Sequence, residues 1–157
     1  MFHRTSVLSE GGTAMKRFLP LSVLVILCAL VVCPIAPAKG LMLQYKGIGL
    51  GNTKEDVHQK LGKPKSDSDG TEEYDMGDSN TMDITYADNK AVTIVLYFYS
   101  NDDKVPKFED VVGDASIDKK DNGSQTAKLV DAKSKTSITM FQMTGANPMT
   151  VITLKQL

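Results

Sequence analysis

The sequence predicts an α+β fold in which short helices pack on one face of an antiparallel β-meander sheet. Three observations predict this fold class. Between residues 82 and 86 apolar residues alternate with polar ones, which is the pattern of a half-buried strand. Residues 92–99 (VTIVLYFY) are apolar on both faces, as expected of a central strand with one face covered. Residues 53–61 form a short capped helix that could provide the cover.

The helix at residues 53–61 is delimited by capping signals. Asn52 is the expected N-cap, and Glu55, three residues on, completes a capping box. Gly62 suits the position after the helix, and Pro64 prevents its continuation. Because so short a helix does not persist alone, it must pack on something larger. Its narrow apolar face consists of Val57 and Leu61.

Short strands and polar turns account for most of the remaining chain. Asp88 and Asn89 tolerate positive φ and are expected to join two strands as a hairpin. The polar segments 65–71 and 118–124 are expected to be loops, and a second short helix is expected at 107–112. Strands are expected near residues 72–76, 82–87, 91–99, 126–131, 136–143 and 149–155.

The second half of the chain repeats the order of elements found in the first. Aligning residues 61–64 (LGKP) with residues 112–115 (VGDA) gives an offset of 51. Each half then has a helix, a polar loop and three strands, over residues 47–100 and 105–157. Two interpretations are open: a divergent tandem α-β-β-β repeat, or one α+β meander whose halves are merely alike.

The first 38 residues are expected to be an N-terminal extension and a signal peptide. Residues 16–17 (Lys-Arg) form a basic n-region, and residues 21–32 form an apolar run. That run is short for a bilayer-spanning helix, which needs about 20 apolar residues. Met15 has the character of a natural start, so residues 1–14 are either a gene-model extension or a long n-region.

A cleavage site is expected before Lys39. Ala36 and Ala38 place small residues at the −3 and −1 positions, so the mature protein would be a single domain over residues 39–157. It is therefore predicted to be exported, periplasmic or secreted, with no membrane span after cleavage. An uncleaved anchor is one alternative. A lipoprotein attached through Cys33 is another, although Val precedes that cysteine where Gly, Ala or Ser is preferred.

The mature composition excludes several kinds of chemistry. Cleavage after residue 38 of 157 leaves 119 residues and removes both cysteines, Cys28 and Cys33. A disulfide, a zinc–thiolate site and a cysteine nucleophile are then excluded. The mature chain has 15 basic and 18 acidic residues, a net charge of −3. Nucleic-acid binding needs a basic field, so no nucleic-acid partner is expected.

The stretch from residue 47 to residue 99 resembles the SmpA/OmlA (BamE) type of outer-membrane-assembly domain and the similar repeats of the β-lactamase-inhibitor-protein-like superfamily. The resemblance rests on a glycine-flanked helix start (GLGNT, residues 49–53), on Val57 at mid-helix, and on Leu-Gly-Lys-Pro at residues 61–64. It implies a helix followed by a strand meander and, with two repeats, a sheet that binds protein. This motif specifies helix-end geometry and assigns no contact residue.

No catalytic, metal-binding or cofactor-binding residue is predicted. His58 lies off the apolar helix face and is expected to be exposed and without a role; no G-x-S-x-G sequence is present. The glycines of residues 47–51 are interpreted as a flexible segment and not as a phosphate-binding loop. The acidic segments 67–72 and 118–122 lack the spacing of a calcium loop and are interpreted as solvated turns.

The predicted function is that of an exported, non-catalytic module that binds a protein partner in the cell envelope or outside the cell. Tyr97 and Tyr99 share one side of the central strand, and Phe141 and Met143 share a face of theirs. Such stripes belong either to the core or to a recognition face. The binding residues, the partner and the oligomeric state are not predicted. The alternatives are a structural or stress-related envelope protein without a discrete ligand, and a small carboxylate-dependent hydrolase.

Overall fold

The described part of the structure, a computed structural model, covers residues 41–100 and 104–157. These residues belong to one compact unit that spans residues 37–157. The expected signal-peptide and cleavage residues Ala36, Ala38 and Lys39, together with the alternative lipidation site Cys33, lie outside the described residues. The elements, in chain order, are β1 (Gln44–Tyr45), β2 (Ile48–Gly49), α1 (Lys54–Leu61), β3 (Ser66–Ser68), β4 (Thr71–Gly77), β5 (Asn80–Ala87), β6 (Lys90–Phe98), α2 (Phe108–Val111), β7 (Ile117–Lys119), β8 (Gln125–Asp131), β9 (Thr136–Met143) and β10 (Met149–Gln156).

Eight strands form one antiparallel sheet in the order β3-β4-β5-β6-β10-β9-β8-β7. Strands that follow one another in each half of the chain are neighbours in the sheet, and β6 pairs with β10 at its centre. Val95 lies opposite Thr153 in that central pair. Each half of the chain therefore contributes four consecutive strands, and the halves meet along their last strands.

The predicted α+β fold class, with helices packed on one face, is wrong. The described residues are 53% strand and 11% helix, with an 8-strand sheet and 2 helices, so this part of the chain is a mostly antiparallel β structure. Among the eight residues of α1, Val57 is the one that is buried. The other helix, α2, is a turn of 4 residues. Helices this short bury too little apolar surface to form a covering layer by themselves.

The hydrophobic core lies on one face of the sheet and is covered by the segment before α1, by Val57 of α1 and by buried residues in and around α2. In the segment before α1, Ile48 is fully buried, and the Tyr45 ring meets Phe98 edge-on with centroids 5.8 Å apart. The β1–β2 turn has Lys46 at φ 49° and Gly47 at φ 76°. The segment interpreted as a flexible loop is thus a folded hairpin. The fully buried strand residues of the core include Met82, Ile84, Ile94, Ile138, Met140, Ile152 and Leu154.

The six strands predicted from the sequence are confirmed to within one or two residues at each end. The predicted hairpin is also confirmed, since Asp88 and Asn89 have φ of 49° and 62°. Strands β3 and β7 fall in segments that were predicted to be loops. They read Ser-Asp-Ser and Ile-Asp-Lys, and all their residues are exposed, so they lack the apolar alternation that reveals a strand.

The capping of α1 is shifted by one residue from the prediction. Thr53, not Asn52, is the N-cap, and its side chain accepts a hydrogen bond from the Asp56 N–H while Asp56 reaches back to the Thr53 N–H. Asn52 instead accepts a hydrogen bond from the Gly49 N–H at 2.7 Å, which ties the helix start to the hairpin. Gly62 ends the helix with φ 82°, as its glycine identity predicts.

No helix in the described residues is long and apolar enough to cross a membrane.

Candidate functional site

The sheet face opposite the core has a mixed polar and aromatic surface, which we call the open face. Its side chains alternate with the core side chains along each strand, because successive strand residues point to opposite faces. Phe98, for example, is 2% exposed, whereas the following residue, Tyr99, is 51% exposed. The open face includes Glu73, Thr81, Asp83, Val95, Tyr97, Tyr99, Thr126, Thr139, Phe141, Val151 and Thr153.

An aromatic row crosses the centre of the open face. Tyr97 of β6 lies opposite Val151 of β10, which in turn lies opposite Phe141 of β9. The Tyr97 and Tyr99 rings stack with centroids 6.5 Å apart and planes 10° from parallel. We call Tyr97, Tyr99, Val151 and Phe141 the aromatic row. These are large, partly accessible side chains held on adjacent strands, a composition typical of protein-binding surfaces.

Acidic side chains border the aromatic row on one side. Glu73 and Asp83 lie opposite each other on β4 and β5. Glu73 pairs with Lys65 at 2.7 Å, whereas burial, followed by the charge of Glu73, raises the pKa of Asp83. A cation from a partner would relieve the repulsion between these two carboxylates. The open face therefore combines apolar contact area with a local excess of negative charge.

A buried polar cluster lies between α1 and the first half of the sheet. The Glu72 side chain of β4 is 1% exposed. It accepts a hydrogen bond from the Tyr74 hydroxyl at 2.5 Å, and Nε2 of His58 lies 2.8 and 3.1 Å from its two oxygens. Lys54 Nζ lies 3.0 Å from Glu72 and 3.0 Å from Asp67. We call Lys54, His58, Glu72, Tyr74 and Tyr86 the Glu72 cluster.

Hydrogen bonds keep Glu72 ionised despite its burial. Burial alone would raise the pKa of this carboxyl, but hydrogen bonds with Tyr74, His58 and Lys54 lower it to about 2. Burial and the contact with Glu72 raise the pKa of Tyr74 in turn. The Tyr86 hydroxyl is buried beside these groups but makes no hydrogen bond of good geometry with the described residues.

His58 was predicted to be exposed and without a role. Its side chain is indeed 42% exposed, but its ring binds the buried carboxylate of Glu72 and so ties α1 to β4. The cluster is not predicted from the sequence, where Glu72 is only the start of a weak strand and the end of an acidic turn. A signal was present: Glu72, Tyr74 and Met76 alternate, which places the glutamate on the apolar side of its strand.

The second half of the sheet has no counterpart of this cluster. Along the rows of paired residues that cross the sheet, Glu72 is in line with Leu129 of β8, and Tyr74 is in line with Ala127. Ala127 is buried and Leu129 packs against the core. The same place in the topology is thus filled by apolar side chains, so the fold itself does not require the charges.

The described clefts lie away from the Glu72 cluster and from the acidic turns. Three clefts of about 270, 550 and 430 Å³ are lined largely by residues 41–52 and by the ends of β8–β10, and none of them is lined by the Glu72 cluster. Asp67 pairs with Lys54, and Asp118 pairs with Lys120 at 2.7 Å. Within residues 41–100 and 104–157, no three His, Cys, Asp or Glu side chains are grouped closely enough to hold a metal ion.

Comparisons of the chain with protein-family models, with curated proteins and with solved structures gave no match.

Proposed function

We propose that the chain is an exported, non-catalytic binding module that recognises a protein partner through the open face of its sheet. The observation that supports this proposal is the aromatic row, with Tyr99 51% exposed at its end. The row lies on three inner strands of the eight-stranded sheet, β6, β10 and β9, so little conformational entropy is lost when a partner covers it. Aromatic side chains in such a rigid setting are the residues that dominate binding energy at protein interfaces.

The partner that fits this face presents apolar side chains beside basic ones. The apolar side chains would cover Tyr97 and Phe141, and a lysine or arginine would face Asp83 and Glu73. The expected net charge of the mature protein, −3, favours the same choice over nucleic acid or an anionic membrane surface. Opposite charges at the rim would mainly accelerate association, so binding should weaken as salt is added.

The chemistry of the Glu72 cluster supports a non-catalytic function. A general acid or base works best when its pKa is near the working pH, and the pKa of Glu72 is about 2. The Lys54 ammonium and the Tyr74 hydroxyl already occupy its oxygens. We therefore propose that this cluster holds α1 on the sheet and that the protein is not a hydrolase.

Export and family membership are further parts of this proposal. The basic n-region, the short apolar run and the small residues Ala36 and Ala38 support cleavage before Lys39 and a periplasmic or secreted location. N-terminal sequencing of the exported protein should give Lys39 as the first residue. An intact N-terminus would indicate an anchor, and lipid on Cys33 would indicate a lipoprotein. The order of one helix and four strands in each half supports the proposed tandem resemblance to the β-lactamase-inhibitor-protein-like repeats.

The open face can be tested by a variant that leaves the core intact. Tyr97→Ser combined with Phe141→Ser removes two rings of the aromatic row while Phe98 remains in the core. Proteins captured from envelope and culture fractions by the wild-type protein would be purified and their Kd values measured by calorimetry. We expect at least one purified partner to lose affinity by 100-fold or more with the double variant. Its binding should also weaken between low salt and 0.5 M salt.

A matched control separates the open face from the rest of the surface. Ile117→Ser removes a side chain that is 40% exposed but lies on the edge strand β7, away from the aromatic row. This control should bind the partner as the wild type does. Equal binding by the double variant would refute recognition through the open face. If no purified partner binds at all, the alternative of an envelope protein without a discrete ligand would be favoured.

A further inference from the structure

The edge of the sheet at β8 is only partly covered by its outer neighbour. β7 pairs with residues 125–127 of β8 and extends no further. Residues 128–131, which we call the open edge, pair with β9 on one side only. Alternate residues of an antiparallel strand direct both N–H and C=O to the same side, so two of these four residues direct theirs outwards. No hydrogen bond of good geometry joins those outward groups to another segment within the described chain.

The opposite edge of the sheet is shielded at the corresponding place. Beyond the short β3, the Met76 carbonyl accepts a hydrogen bond from Lys46 Nζ at 3.4 Å. The Gly77 N–H donates to the Asp75 side chain at 2.8 Å, and the strand register shifts between these two residues. Bulges and side-chain caps of this kind are the usual means by which proteins protect a sheet edge. The open edge has no such cap among the described residues.

An apolar cleft adjoins the open edge on the core side. It has a volume of about 430 Å³ and lies between the edge, the loop that follows α2, and Leu41. Leu41 is 37% exposed. Residues Leu129 to Asp131 of the open edge form one wall of the cleft. On the other face of the same edge, Val130 is 53% exposed and Lys128 is exposed. Among the residues that the structure describes, Lys128 forms no ion pair.

We propose that the open edge binds an extended segment of a partner protein as an additional antiparallel strand. Strand addition uses backbone hydrogen bonds for affinity and alternate side-chain positions for specificity. Residues directly opposite each other share a face of the sheet, so the segment's side chain opposite Leu129 would enter the apolar cleft. The residue opposite Val130 should also be apolar, and the one opposite Lys128 should be acidic. The added segment runs antiparallel to β8. Read from its N-terminus, it therefore has an apolar residue opposite Val130, an apolar residue opposite Leu129 and an acidic residue opposite Lys128.

A second copy of this chain does not fit the same edge. Two antiparallel copies related by a two-fold axis pair symmetrically about one residue. With residue 128 or 129 at the centre, residue 129 or 131 of the second copy would fall opposite Ala127, where Ile117 of β7 already lies. With residue 130 or 131 at the centre, no more than three residues of each copy could pair, because β8 ends at Asp131 and residues 132–135 form a turn. A separate segment with free ends avoids this collision, which is why the occupant is assigned to a partner protein.

Synthetic peptides can test this proposal on the full-length protein. A five-residue peptide that ends in Val-Val-Glu, with an amidated C-terminus, would be compared by fluorescence polarisation with one that ends in Val-Val-Lys, so that no peptide residue falls opposite Ala127. We expect the wild-type protein to prefer the glutamate peptide by 10-fold or more. Lys128→Glu should reverse that preference, because the change exchanges one charge of the pair. Methylation of the peptide nitrogen that faces β8 should weaken binding at least 10-fold, because it removes a backbone hydrogen bond.

The matched control is Lys155→Glu, which reverses an exposed lysine on the central strand β10 and should leave both affinities unchanged. Circular dichroism would verify that both variants are folded. Amide exchange should slow in residues 128–131 when the peptide binds. The proposal is overturned if neither peptide binds at millimolar concentration, if Lys128→Glu does not alter the preference, or if the methylated peptide binds equally well. It does not depend on the open face, since Tyr97→Ser should leave peptide binding unchanged.

Discussion

Replacing Glu72 by glutamine tests whether the buried carboxylate stabilises the fold. Glutamine keeps the size of the side chain and one oxygen acceptor but removes the charge. In the wild type the pKa of Glu72 falls from 4.5 to about 2 on folding. Each unit of such a difference corresponds to about 1.4 kcal/mol, so the charged form contributes about 3 kcal/mol to the free energy of unfolding at pH 7. Two or three hydrogen bonds to a charged group are consistent with this magnitude.

The pH dependence of the Glu72→Gln effect identifies its cause. Because the pKa of Glu72 is lower in the folded state, its contribution is present above pH 4.5 and is lost as the pH falls towards 2. Urea unfolding of the wild type and Glu72→Gln should therefore differ by about 3 kcal/mol at pH 7 and by much less at pH 2.5. Taking the difference between the two proteins cancels the titration of carboxylates that they share.

Glu73→Gln is the matched control for this measurement. Glu73 is the next residue of the same strand, but it lies on the open face and pairs with the exposed Lys65. Exposed ion pairs contribute about 0–1 kcal/mol, so this variant should lose less than 1 kcal/mol. The reasoning would be refuted if Glu72→Gln lost no more stability than Glu73→Gln, or if its loss were the same at pH 2.5 as at pH 7.

Four further variants test the parts of the structure around this cluster. Thr53→Ala removes the N-cap of α1 and should cost about 1 kcal/mol in urea unfolding, whereas Asn52→Ala should affect the hairpin contact more than the helicity seen by circular dichroism. Val57→Ala removes two buried methyl groups and should cost about 2 kcal/mol; no loss would mean that α1 is not docked on the core. Burial raises the pKa of Tyr74, so stability should fall as the pH rises above 10, and Tyr74→Phe should make that fall shallower.

The sequence predicted the inner strands well and the outer layer poorly, for a physical reason. In β5, Met82, Ile84 and their polar neighbours alternate because one face is buried and the other is not. In the edge strands β3 and β7 both faces are exposed, so the pattern is absent and only backbone hydrogen bonds define the strand. Segment 44–49 is a third case. Its hairpin is held by Ile48 and by the Tyr45–Phe98 contact, and neither contact is visible in the order of residues.

The candidate site could likewise be predicted from the sequence in part only. The alternation of Tyr97, Phe98 and Tyr99 predicted that the tyrosines share a face, but the sequence could not decide which face is the core. That choice depends on what covers the sheet, and the covering hairpin was not predicted. The Glu72 cluster needs the pairing of α1 with β4 in space, since His58 and Glu72 are 14 residues apart in the chain. Long-range contacts of this kind cannot be derived from local periodicity.

The difference between the two halves indicates what the Glu72 cluster does. Replacing a buried ion pair by well-packed apolar residues is often neutral or stabilising, so stability alone does not explain a buried glutamate in one half and a leucine in line with it in the other. The first half has an eight-residue helix with a single buried side chain, whereas α2 is one turn whose Phe108 and Val111 are both buried. Apolar contacts suffice to fix α2. Val57 and the partly buried Leu61 hold α1 on the core, and the directional bonds from Lys54 and His58 to Glu72 further restrict its rotation about its own axis. The cluster therefore contributes to the orientation of α1, and the open face and the open edge are the surfaces proposed to bind partners.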